Sequence, residues 1–148
     1  MKTKDLNKLF NIKPQKFSVK LSGNTPQQLS ISKTGDAAKI IKSCFDKLNW
    51  REQVLVFPMN AMNQVLGVYT LSEGSINSCI VDCRVLFQVL LLSNASSFIL
   101  AHNHPSQNPE PSNEDIVTTR RIKTASKLLG IRLLDHLIIT ENSITSCL

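Results

Sequence analysis

Residues 98 to 115, FILAHNHPSQNPEPSNED, constrain this chain more than any other stretch. Phe98 to Ala101 form a short apolar run suited to a buried strand, and the run ends in His102-Asn103-His104 followed by Pro105. Side chains of extended backbone alternate between faces, so His102 and His104 point one way and Asn103 the other. Pro105, Pro109 and Pro111 forbid a helix before Ser112 and allow one after it, which puts Asp115 in a helix's first turn. Two imidazoles and a carboxylate are three ligands for a divalent ion. Zinc suits that set best and keeps a fourth position for water at a catalytic site, although imidazole with carboxylate also serves other divalent metals. Ser112-Asn113-Glu114-Asp115 also reads as a plain helix start with Ser112 as N-cap, and one segment can serve both purposes.

His-x-His-Pro, six further residues and then Ser-x-x-Asp resembles the signature of the JAMM (MPN+, JAB) metalloproteases, and AHNHPSQNPEPSNED resembles their RadC branch. The resemblance continues through IVTTRRIKTASKLLGIRLLDHLIIT and, more loosely, back to about Asn49. It departs at Gln107, where RadC-like sequences usually have Gly, a change that stiffens the loop without touching a ligand. The resemblance implies a three-layer α/β domain with a mixed sheet flanked by helices, as in JAMM and cytidine-deaminase-like folds. It also implies a Zn2+-dependent hydrolase whose metal-bound water attacks a peptide or isopeptide bond. A deaminase-type zinc site is disfavoured, because HxE and PCxxC are both absent.

The resemblance assigns the metal ligands to His102, His104 and Asp115, and the general base to Glu52, the glutamate opening the first core strand. An ordinary exposed strand-end residue is the bland alternative for Glu52, and Glu73, in the turn Ser72-Glu73-Gly74, is the rival base. Ser112 would cap its helix and donate to the oxyanion of a tetrahedral intermediate. Asp135-His136 matches a RadC-like segment but lies outside the ligand set, and a contact behind a ligand and a purely structural histidine both remain open.

At 148 residues the chain suits one domain, with residues 36–148 as the RadC-like core and residues 1–35 as a Lys-rich arm or edge strand. The net charge of +6 sits in that direction: residues 1 to 47 hold ten Lys against three Asp, and the remainder is nearly neutral. Such an arm could touch DNA weakly and nonspecifically, which supports the alternative of a DNA-repair-associated accessory protein without hydrolytic activity. A solvated tail is the simpler reading, because no Arg or aromatic residue interleaves the lysines. No apolar run reaches a membrane span and the N-terminus lacks a signal-peptide core, so a cytoplasmic location is expected. Cys44, Cys79, Cys83 and Cys147 form no CxxC pair and are expected as reduced, mostly buried thiols. Neither the substrate nor the oligomeric state is encoded in any recognisable motif.

Periodicity predicts a helix over 36–48, an interior strand from Glu52 to Phe57, a turn at Asn60 to Asn63 and an antiparallel strand over 64–71. A nearly buried helix over 82–94 leads into the His-x-His strand. The helix after Ser112 is expected to carry an inner stripe of Thr118, Ile122, Ala125 and Leu129 and to stop at Gly130. Strands over 131–140 and 143–147 close the chain, with Phe17 to Leu21 as a further candidate edge strand.

Overall fold

The computed structural model of the protein describes residues 34–45, 48–74 and 81–148. Its elements are α1 (Thr34–Ser43), β1 (Gln53–Met59), β2 (Tyr69–Glu73), α2 (Cys83–Leu92), β3 (Ser97–Asn103), α3 (Asn113–Leu129), β4 (Arg132–Ile139) and β5 (Ile144–Ser146). The strands make a five-stranded mixed sheet in the order β2-β1-β3-β4-β5. The β1 strand runs antiparallel to both neighbours, β3 and β4 are parallel, and β5 returns antiparallel to β4. Parallel neighbours need a crossover, and α3 supplies it.

Strand alternation sorts the core into two. Val54, Val56, Phe98 and Leu100 pack on one face with Leu86, Phe87 and Leu90 of α2 and Ile122 of α3. Leu55, Phe57, Met59, Ile99, Ala101, Leu137 and Ile139 pack on the other with Ile41 and Phe45 at the end of α1. The result is the expected three-layer α/β arrangement, in which every residue of β3 is buried. His102 falls on the face covered by α3, and Asn103 on the face towards α1.

Several sequence expectations shift. The second strand begins at Tyr69 rather than at position 64, because Asn60 Oδ1 accepts from the amides of Met62 and Gln64, and Asn63 turns left-handed (φ 56°). Only an isolated bridge between Met59 and Val65 precedes regular pairing. The α2 helix lies on the sheet by one face instead of being nearly buried: Leu86, Phe87 and Leu90 are enclosed, while Leu91 and Leu92 are 56% and 48% exposed. The inner stripe of α3 is Thr119, Ile122 and Ser126, so Leu129 faces outward. Cys44, Cys83 and Cys147 are free and only partly buried. Cys79, the Lys-rich arm to position 33 and the Phe17 to Leu21 strand lie outside the described residues. Among the described residues no helix is long and apolar enough to cross a membrane.

Candidate metal centre

The ligand strand ends where its sequence stops being apolar. His102 is 2% exposed and His104 half-buried at the mouth of a cleft. Opposite them, α3 opens with a capping box: Ser112 Oγ accepts from the Asp115 amide (3.1 Å), and Asp115 Oδ2 accepts from the Ser112 amide (2.8 Å) and hydroxyl (2.7 Å). That box fixes the Asp115 side chain. Its Oδ1 lies 3.1 Å from His102 Nε2 and its Oδ2 3.4 Å from His104 Nε2, and the two Nε2 atoms are 2.9 Å apart. His102, His104 and Asp115 thus come together as the sequence predicts, offering one ligand atom each.

The donor chemistry fits a cation. His104 Nδ1 meets the Asn108 carbonyl at 2.7 Å, and a carbonyl only accepts, so Nδ1 carries the hydrogen and Nε2 the lone pair. His102 Nδ1 is 3.0 Å from His136 Nε2, which leaves the His102 Nε2 facing the other two groups. Three lone-pair donors packed at such distances repel unless an ion or a proton sits among them. Atoms bound to one tetrahedral zinc at about 2.0 to 2.2 Å lie roughly 3.3 to 3.6 Å apart, a few tenths of an ångström wider than most of the separations here, so a small spreading of the three groups would admit the ion.

Titration follows from the same crowding. Burial pushes Asp115 up, but the adjacent His102 and His104 rings outweigh it and hold the carboxyl far below its usual range. His104 is raised, chiefly by Asp115. His136 is depressed to about 3 by burial and then by His102, so it is neutral.

Glu52 sits one residue before β1. Val54 pairs with His102 in the antiparallel register, which carries Glu52 to the level of His104 on the α3 face. Burial raises its pKa and Asp115 adds to the rise, against the two histidines. Glu52, Ser112, Asp115 and both ligand histidines line one cleft of about 630 Å³. Glu73 pairs with Gln53 in the edge strand, is exposed and does not line that cleft. Two further carboxylates, Glu110 and Glu114, stand on the cleft's rim, and no Lys or Arg is among its described lining residues.

Four participants escape a reading of periodicity. Asn103, on the opposite face from the ligands, accepts from the Gln53 amide (2.7 Å) and donates to the carbonyls of Leu48 and Arg51 (both 2.8 Å), bracketing Glu52. His136 and Thr119 stand behind His102. Gln107 occupies a left-handed position (φ 63°), which explains why a Gly-bearing relative would be at ease there. Its side chain donates to the His104 carbonyl (3.3 Å) and accepts from the Glu141 amide (2.8 Å), tying the ligand loop to the β4–β5 turn.

A family model described as the RadC-like JAB domain matches residues 31–148. A UPF0758 protein of Desulforamulus reducens is 49% identical over 96 residues, covering 65% of this chain and 42% of the relative. A UPF0758 protein of Clostridium perfringens is 40% identical over 121 residues, covering 80% of this chain and 52% of the relative. One from Methanospirillum hungatei is 44% identical over 96 residues, covering 65% and 43%. The chain spans about half the length of these relatives.

Proposed function

This chain belongs to the RadC-like JAB domain family, and from that premise we propose that it is a zinc-dependent hydrolase of peptide or isopeptide bonds. The observation that carries the reading is the convergence of three lone-pair donors, His102 Nε2, His104 Nε2 and the Asp115 carboxylate, beside a buried-side carboxylate at Glu52. His102, His104 and Asp115 would hold the metal. Zinc in such a set supplies Lewis acidity, polarising a carbonyl and lowering the pKa of water towards about 7.

The remaining work belongs to side chains. Hydrolysis adds the oxygen of water to the amide carbon, breaks the carbon–nitrogen bond and delivers a proton to the leaving amine. Glu52 takes the proton of the attacking water and passes it to that nitrogen, and its raised pKa suits both halves of the exchange. The Ser112 hydroxyl donates to Asp115 at rest and must rotate by one torsion to face a developing oxyanion.

The cleft's charge favours this reading over a DNA-associated one. Glu110 and Glu114, which stand outside the three residues that would hold the metal, bring negative charge that disfavours a phosphodiester and favours a lysine-bearing peptide. Metal analysis of the purified chain, combined with hydrolysis of a panel of peptides and isopeptides, tests the proposal. About one equivalent of zinc and cleavage abolished by a chelator are the expected results. A chain that takes up no divalent metal and cleaves no member of the panel would overturn it.

A further inference from the structure

The side chains behind His102 form a polar chain whose direction can be read from its far end. Thr119 Oγ1 donates to the Asp115 backbone carbonyl at 2.6 Å, since that carbonyl can only accept. The hydroxyl has one hydrogen, so towards His136 Nδ1, also 2.6 Å away, the same oxygen can only accept. His136 therefore carries its hydrogen on Nδ1. His136 is 2% exposed and, among the described residues, no carboxylate touches its ring, so its Nε2 presents a lone pair to His102 Nδ1 at 3.0 Å. His102 must then donate from Nδ1, which frees its Nε2.

We propose that Thr119 and His136 are positioning residues that lock His102 in the tautomer with its lone pair on Nε2, and so preset the donor atom before any metal arrives. The inference deepens the metal-holding reading but does not need the hydrolase one.

A bulge in β4 makes the contact. Leu133 pairs with Phe98 and Asp135 with Ile99, so the register slips by one residue across Leu134. Without that slip, alternation would turn His136 towards α1. With it, His136 pairs with Leu100 and shares a face with His102. The chain also closes on itself: Asp115 contributes its carbonyl to one end and its carboxylate, 3.1 Å from His102 Nε2, to the other. One residue of α3 and one of β3 are braced together by groups that touch no metal. Partners of this kind typically govern metal affinity by 10- to 100-fold.

The chain contains three histidines, so long-range proton–nitrogen correlation spectra of the metal-free, histidine-labelled full chain can record each tautomer. His102 and His136 should both be protonated on Nδ1 alone. Thr119→Val, which keeps the branched shape, should mix the tautomers of both rings and weaken zinc roughly 10- to 100-fold in competition with a chromophoric chelator. Thr119→Ser should restore both readings. His136→Gln, whose amide oxygen can still accept from His102, should hold zinc better than His136→Phe. A His102 protonated on Nε2 in the metal-free wild type would overturn the proposal. So would a folded Thr119→Val with unchanged tautomers and zinc affinity. Wild-type chain that shows the Nδ1 tautomers yet binds no zinc would uphold the relay while removing the metal-holding reading.

Discussion

The Gln53 amide donates to Asn103 Oδ1 at 2.7 Å, so the residue between His102 and His104 grips the residue next to Glu52. The Asn103 side-chain amide donates to the carbonyls of Leu48 and Arg51, which fixes the backbone on both sides of Glu52. Asn103→Ala should keep the metal, because both ligands are intact, yet lose about 10- to 100-fold in turnover through displacement of Glu52. In combination with Glu52→Gln it should add nothing further. Zinc content and single-turnover hydrolysis measure this, and additive losses would show that Asn103 acts elsewhere.

Glu52→Gln should retain zinc and lose roughly two to four orders of magnitude in turnover, because proton transfer alone is removed. Glu73→Gln, altered at an exposed edge-strand carboxylate outside the cleft, should stay within about twofold of wild type. The reverse ranking would move the base to β2.

Ser112→Ala removes both the cap and the hydroxyl facing the cleft. Stability should fall by about 1 kcal/mol in thermal unfolding, and turnover by roughly 100- to 1,000-fold if the hydroxyl also meets the oxyanion. A loss confined to stability would reduce Ser112 to its capping role.

The pH dependence of the metal-free protein should carry the mark of His136. Its folded pKa, about 3, lies below the roughly 6.5 of an unfolded histidine, so its contribution is present above pH 6.5 and is lost as pH falls towards 3. The full effect is of order 4 kcal/mol at this buried site. Asp115, held low, works in the same direction, and His104, held high, opposes it. Denaturant titrations of wild type and His136→Gln at several pH values isolate the difference. Parallel stability profiles would contradict it.

Gln107→Ala keeps the left-handed backbone and discards two hydrogen bonds, and should cost about 1 to 2 kcal/mol. Gln107→Gly loses the same bonds but relieves the backbone, and should be the more stable of the two by roughly 1 kcal/mol. Chemical denaturation distinguishes them, and equal stabilities would mean the loop has relaxed.

What the sequence revealed and what it hid divide along range. His102, His104 and Asp115 sit within one short stretch, where strand alternation, prolines and a cap are local rules, and the layered α/β fold followed from periodicity and resemblance. Asn103 appeared only as the residue facing away; its grip on β1 requires knowing that β1 lies beside β3. His136 is marked by the resemblance, but its side of the sheet is hidden for a sharper reason: the slip at Leu134 inverts the face that alternation assigns it. The solvent-facing Leu91 and Leu92 misled because an apolar helix is not thereby a buried one.

β3 is hydrogen-bonded along both edges, to β1 and to β4, whereas the Glu52 carbonyl receives the Gly74 amide beside the short edge strand β2. β3 comes free only by parting from two neighbours, whereas the Glu52 carbonyl loses its partner when the end of β2 alone peels away, leaving Asn103 to hold the segment. The two halves of the site therefore keep different clocks. β3 should outlast many openings at the β2 edge, and an ion held by His102, His104 and Asp115 would stay in place through them.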